Sequence, residues 1–318
     1  MQFPLFLSVL AFAPVGKGSG FMLTYLRRSL MNRYGIADVG SNTVVLIVYE
    51  VNADQLKQLK YISTPVHLIN YVKDGQMSHE GIDKALAVLK QYAAILDEMN
   101  ISYRFADITE PCRIHNAEEL IKALEQSGFE IHPLTGEQEA LYDFEGAKFS
   151  YPDVHEGIAF DVGGGSTELI SFKDDKAVEA MSFHLGCVRL AHLPLDTQEC
   201  RKEILKARSG YPSLDTDAKT IIGIGGTARA LGLVCEKAYG NRHHIRVDDL
   251  KDAFVRIRDK EPVMTQIVSQ TVEPSRIPVL LPGMHMILEI CDVFNTEEIM
   301  ISDTGIREGF LMACIAHL

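Results

Sequence analysis

The stretch YGIADVGSNTVVLIVYEV begins at Tyr34, and GIAFDVGGGSTELISF, beginning at Gly157, repeats its plan. In both, β-branched and apolar residues flank an Asp-Val-Gly turn, the composition of two strands joined by a hairpin. A strand-turn-strand unit that occurs twice, with helical patterns after each copy, calls for an α/β duplication in which each half builds its own sheet. The interval between the copies is too long for a solenoid repeat.

The segments between and after the copies fit that plan. GIDKALAVLKQYAAILDEMN carries apolar residues at helical spacing, and ISYRFADI alternates as a strand. NAEELIKALEQSG predicts a helix with an Asn116 cap, an acidic first turn and a glycine stop. FEIHPL reads as a short strand, and TGEQEALYDFEGAKF starts as a helix with Thr135 as its cap. In the second half, KTIIGIGGTARALGLV predicts a buried strand, a glycine turn and a helix start, and EEIMISDTGIREGFLMACIAHL a strand leading into a closing helix. No low-complexity run or charge block interrupts residues 34–318, so the domain boundary is expected to be a hinge within SYPDVHEG, Ser150 to His155.

With 318 residues and 47% apolar content the chain can fill two ordinary cores. The net charge of −12 provides no global basic field for nucleic acid or for an anionic membrane surface, and neither is expected as a partner. A polyanionic substrate would have to be gripped locally. The six cysteines are scattered, without a CxxC pair or metal-ligand spacing, and read as reduced core thiols. The opening MQFPLFLSVLAFAPVGKGSG lacks the basic start of a secretory signal and is too short for a membrane span. Met31 stands three residues before the first expected strand, so residues 1–30 are read as an extension outside the folded domains and the protein as cytoplasmic.

Glycine-rich turns expose backbone N–H groups, and a concave cluster of such groups binds phosphate oxygens. A carboxylate just before each turn, Asp38 and Asp161, suits a Mg2+ ion whose other ligands are phosphate oxygens and water. Two facing copies would clamp a phosphate chain. Competing chemistries lack their motifs: the eleven histidines form no HExxH and no GxSxG elbow occurs.

The ordered set DVGSNT, GEQEA, DVGGGSTEL, LGCVRL, GIGGTARAL and SDTGIREG, from Tyr34 to the end of the chain, closely resembles the exopolyphosphatase/guanosine-pentaphosphate phosphohydrolase family, in its short, two-domain form. The resemblance implies two ribonuclease-H-like domains of the actin, sugar-kinase and chaperone ATPase superfamily, spanning residues 31–153 and 154–318, with a cleft between them and the C-terminal helix packing back on the first. It implies Mg2+-dependent release of terminal phosphate from inorganic polyphosphate or, alternatively, from guanosine pentaphosphate, and leaves a homodimer open.

Residue by residue, it casts Glu139 as general base, preferred over Glu137, with Glu168, 29 positions later, holding the metal or the water. Asp38 and Asp161 fall on the metal side. Ser41, Asn42, Thr43, Gly163, Gly164, Gly165, Ser166 and Thr167 match the phosphate-contacting loops. Arg113 matches an arginine suited to a phosphate oxygen, but it follows Glu110, Pro111 and Cys112 where small residues are usual, which raises a non-catalytic phosphate-binding sensor as a further alternative. A kinase would share the fold, and Glu139 at the water position argues against it. Gly225, Gly226 and Thr227 match a loop that is either structural or nucleotide-binding, Arg189 and Arg307 match family positions, and Arg242 to His244 read as a solvated loop.

Overall fold

A computed structural model describes residues 32–52 and 56–318; the extension expected at residues 1–30 lies outside them. The first sheet is a meander, β1 (Asn32–Val39), β2 (Thr43–Val51) and β3 (Leu56–Pro65); β4 (Val72–Lys73) and β5 (Gln76–Met77) form a separate small hairpin, and β6 (Tyr103–Ile108) and β7 (Glu130–Pro133) extend the sheet, running parallel to β1. The second sheet repeats the arrangement. Strands β8 (Glu156–Val162), β9 (Thr167–Lys173) and β10 (Lys176–Phe183) form its meander, β11 (Thr220–Ile224) and β13 (Glu298–Ile301) run parallel to β8, and β12 (His244–Arg246) closes the edge antiparallel to β13. The duplication expected from the two turns is thus one of sheet topology.

Helix α1 (His79–Glu98) begins at Ser78, whose hydroxyl accepts from the Gly81 N–H, and α2 (Ala117–Leu124) follows β6. Asn116 does not cap α2 with its side chain. Its amide instead accepts from Met77 N and donates to Met77 O, both at 2.9 Å, which fastens the small hairpin to the helix start. Helix α3 (Gly136–Ala147) carries the expected cap as a reciprocal box: Thr135 Oγ1 accepts from Gln138 N, and Gln138 Oε1 accepts from Thr135 N. The second half supplies α4 (Cys187–Leu190), α5 (Glu199–Gly210), α6 (Gly225–Tyr239), α7 (Val247–Arg258), α8 (Pro262–Thr271), α9 (Ile277–Val293) and α10 (Ile306–His317).

The central strands β1 and β2 of the first sheet read as near-continuous apolar runs because both faces are covered, whereas the edge strand β3 is more polar and none of its residues is fully buried. Ala37, Val39, Val44, Leu46 and Val48 pack against α1 and α2; Tyr34, Ile36, Val45, Ile47 and Tyr49 pack against Phe310, Leu311 and Cys314 of α10. In the second sheet, Ile158, Phe160, Val162 and Leu169 face the helices of the second half, while Ala159, Ile170, Phe172 and Ile224 face Ala140, Phe144 and Ala147 of α3. The halves therefore exchange helices. Helix α3, on the N-terminal side of the expected hinge, covers the second sheet, and α10 covers the first.

The two exchanged helices meet backbone to backbone. A Cβ at Gly146 would strike the Gly305 carbonyl, and one at Gly309 would strike the Tyr142 carbonyl. At the crossing, the buried Asp143 accepts from the Ile306 N–H at 2.9 Å, so a side chain of α3 caps the start of α10. Among the described residues no helix is long and apolar enough to cross a membrane.

Candidate active site

Each Asp-Val-Gly turn sits at the end of its sheet, and their carbonyls are already spoken for. In the first, Gly40 N donates to Thr43 O at 3.1 Å, and Asn42 O accepts from both Val66 N and His67 N at 2.9 Å. In the second, Gly163 O and Gly164 O accept from Cys187 N and Val188 N, each at 2.9 Å, and Gly165 O accepts from Arg189 Nε at 3.0 Å. Thr167 Oγ1 donates to Leu185 O at 2.8 Å, and Thr227 Oγ1 to Val162 O at 2.6 Å, so both hydroxyls brace the turn. The Gly163, Gly164 and Gly165 N–H groups donate to nothing among the described residues, which leaves them available to an anion.

Both turns open on one cleft of about 330 Å3. Of the residues singled out from sequence, Asp38, Ser41, Asn42, Thr43, Glu139, Asp161, Gly163, Gly164, Gly165, Ser166, Gly225, Gly226 and Arg307 line it. Gly225 has a φ of 81° and presses on Asp161, where a Cβ would collide with the carboxylate. Thr167, Thr227, Glu168 and Arg113 stand behind the wall. Glu137 faces solvent, two positions from the buried Glu139. Arg113 does not reach into the cleft: its guanidinium donates to Glu139 Oε2 and to Ser182 Oγ and lies 3.9 Å from Glu168. Of the Arg242 to His244 loop, Arg242 lines the cleft, paired with Asp303 at 2.8 Å, while His244 pairs with Glu298 in solvent.

Buried carboxyls dominate the electrostatics. Asp161 is pushed up to about 6 and Glu168 to about 7, in each case mainly by burial, with Asp161 also repelling Glu168 across the β8/β9 pair. Glu139 is held well above the usual carboxylate range by burial and by Glu168, against the pull of Arg113. Asp143, one helical turn after Glu139, is raised for the same reasons by burial, Asp161 and Glu139. Asp38 is raised by burial despite Arg307, whose Nε lies 3.2 Å from its Oδ2. Beneath it in the parallel β1/β6 register lies Asp107, fully buried with neither oxygen hydrogen-bonded.

These acids fit a divalent cation of one kind only. Asp161 Oδ1, Glu168 Oε2 and Asp143 Oδ2 are buried without a hydrogen-bond partner, which is what a hard, oxygen-seeking ion would relieve. Yet among the described residues no group of three or more His, Cys, Asp or Glu side chains could enclose a metal alone. The fit is to an ion such as Mg2+ that keeps waters and completes its shell with substrate oxygens.

Sequence reasoning missed Asp143, Arg229 and Arg276, although Asp143 had a signal, standing at i+4 from Glu139 and so on the same helix face. Arg229 lines the cleft two residues after Thr227, and its guanidinium has no hydrogen-bond or ion-pair partner among the described residues. Arg276 sits against Gly226 and comes from a loop without a pattern to announce it.

Known proteins align with this arrangement. A Haemophilus influenzae protein provisionally named an exopolyphosphatase is 23% identical over 86% of this chain and 88% of its own. A Pseudoalteromonas atlantica protein named guanosine-5'-triphosphate,3'-diphosphate pyrophosphatase is 22% identical over 90% of this chain and 59% of its own, so the chain spans little more than half of that relative. Among solved structures, the Aquifex aeolicus member of the Ppx/GppA protein family superposes with a TM-score of 0.74 at 25% identity, over 91% of this chain and 99% of that one. Residues 47–317 match the sequence model of the Ppx/GppA phosphatase family, a span that takes in Glu139, the second glycine turn and both exchanged helices, and the chain belongs to that family.

Proposed function

We propose that the chain hydrolyses the terminal phosphoanhydride of inorganic polyphosphate, with Glu139 as the general base. The observation that carries this reading is a buried carboxyl, raised in proton affinity, lining the same cleft as both glycine turns. Ser41, Asn42 and Thr43 on one side and the Gly163 to Ser166 backbone on the other grip the terminal phosphate oxygens.

Arg113 holds Glu139 Oε2, whereas Oε1 makes no hydrogen bond among the described residues. That oxygen takes the proton as a water attacks phosphorus in line, the anhydride P–O bond breaks, and the shortened chain leaves with the negative charge on its new terminal oxygen. A Mg2+ ion at Asp161, with Asp38 facing it across the cleft and water and substrate oxygens completing its shell, would supply charge neutralisation at the phosphate oxygens; Glu168, behind the cleft wall, would act on it only through its charge. A proton affinity above that of an ordinary carboxylate makes Glu139 a better base near neutral pH, provided it is ionised when substrate is bound; Arg113 and a bound cation both favour that state.

The name of the Pseudoalteromonas relative supports a second substrate, guanosine pentaphosphate, for the same chemistry. The test is phosphate release from long-chain polyphosphate and from guanosine pentaphosphate, with Mg2+ and then with EDTA. Release that EDTA abolishes is expected, and the ratio of the two kcat/KM values assigns the substrate. Binding of polyphosphate without release would overturn the hydrolase reading in favour of a sensor.

A further inference from the structure

Glu110 lines the cleft and belongs to no step above. It opens a short 3-10 turn, Glu110–Cys112, after β6, and its backbone is fixed there: Arg113 N donates to Glu110 O at 2.9 Å, and Thr109 Oγ1 donates to Val39 O at the end of β1. The residue is only 8% exposed.

Its carboxylate lies between the two turns. Oε2 accepts from Ser41 Oγ, in the first, at 2.5 Å; Oε1 accepts from Arg189 Nη2, and Arg189 Nε in turn holds the Gly165 carbonyl of the second. His184 Nδ1 stands 4.0 Å from Oε1. The backbone at Gly165 is so close that a Cβ there would meet the Glu110 carboxylate and the Ser41 hydroxyl together. A hydroxyl, a guanidinium fork and a bare glycine backbone form the donor set that a phosphate oxygen would take.

We infer that Glu110 is a specificity-determining residue: a resident anion that occupies the phosphate-oxygen subsite between the two turns, so that an incoming phosphate must displace it or bind one subsite short. The inference rests on reading the turns as a phosphate clamp. A like charge beside a phosphate weakens its binding, and Arg189, with its Nη2 held by Glu110, cannot give that bond to a phosphate oxygen until the carboxylate is removed. Glu110 therefore lowers the affinity of the clamp for highly charged phosphate chains.

The test is calorimetric binding of imidodiphosphate, whose P–N–P bridge resists hydrolysis, in the presence of Mg2+. Glu110→Ser should tighten Kd by about tenfold or more and the isosteric Glu110→Gln by less, since a hydrogen bond to a charged group is at stake. Arg189→Ala should weaken binding in both backgrounds but severalfold more in Glu110→Ser, where the guanidinium is free to contact the ligand directly, a non-additivity that a passive brace would not produce. Should Glu110→Ser fail to fold cooperatively, Glu110→Gln carries the comparison alone. Wild-type binding that neither variant tightens, or equal Arg189→Ala losses in both backgrounds, overturns the inference while leaving the clamp intact. No binding by any of these folded proteins overturns both.

Discussion

Glu168→Gln tests whether the acid cluster is the strained element of the cleft. The side chain is fully buried; Oε1 accepts from Ser182 Oγ at 2.6 Å and Oε2 has no partner. Burial, then Asp161, lifts the group from about 4.5 to about 7. Below about pH 4.5 both the folded and the unfolded chain hold the proton, and the group costs nothing. Between about 4.5 and 7 the unfolded chain releases it and the fold keeps it, so stability falls as pH rises, by about 1.4 kcal/mol per pH unit. Above about 7 the accumulated loss levels off at about 3 kcal/mol. The glutamine lacks this slope. It preserves the acceptor for Ser182 but buries an amide N–H2 where an unpaired oxygen stood, a pH-independent cost of about 1–3 kcal/mol. The readout is therefore the difference between variant and wild type at pH 8 minus that at pH 5, from urea unfolding in EDTA. It should favour the variant by about 2–3 kcal/mol. A difference that does not change with pH, or that changes in the opposite direction, refutes the argument and means that Arg113 outweighs burial and repulsion.

The other predictions concern the base, the cation and the helix crossing. Glu139→Gln should lower kcat by roughly two to four orders of magnitude with imidodiphosphate binding largely kept; near-normal turnover would remove Glu139 from the mechanism. In Mg2+ titrations followed by thermal unfolding, Asp161→Asn should abolish most of the cation-induced stabilisation and Asp38→Asn less, because Arg307 already neutralises Asp38; equal losses would contradict this. Gly309→Ala places a methyl group against the Tyr142 carbonyl and should cost about 1–3 kcal/mol in chemical denaturation, and an unchanged midpoint would show that the crossing can open freely.

Much of the fold is legible because its central strands are buried on both faces. YGIADV and GIAFDV read as strands without a strict alternation, which is what two covering layers produce. The cap at Thr135 and the glycine turn at Gly225 are equally local and appear where the residues put them. What periodicity cannot convey is which sheet an apolar helix face will cover. Nothing in GEQEALYDFEGA distinguishes packing on its own sheet from packing on the other, and the glycines that permit the crossing, Gly146 and Gly309, acquire meaning only once the two backbones touch. Asn116 illustrates a smaller failure of the same kind: its side chain had a capping role available next door and took a partner 39 residues away instead.

The site follows the same division. Both turns are visible as repeats, whereas the difference between Glu137 and Glu139 is one of burial, and the placement of Glu110 between the turns is a long-range fact. The repeat also misleads in one respect, since it suggests two equivalent halves. The exchanged helices make them unequal. Helix α10 brings Arg307 to Asp38, so the first turn carries a carboxylate already balanced by a guanidinium. Helix α3 brings the carboxyls of Glu139 and Asp143 toward Asp161, which also feels Arg229, Arg276 and Arg307 but forms no ion pair with them and keeps one oxygen without a partner among the described residues. A duplicated turn alone could clamp an anion symmetrically, but in-line attack needs a polarity, with a base at one end. Under the proposed mechanism the sequence echo would supply the clamp and the helix exchange the polarity, because each exchanged helix delivers charges of a different kind to otherwise similar turns.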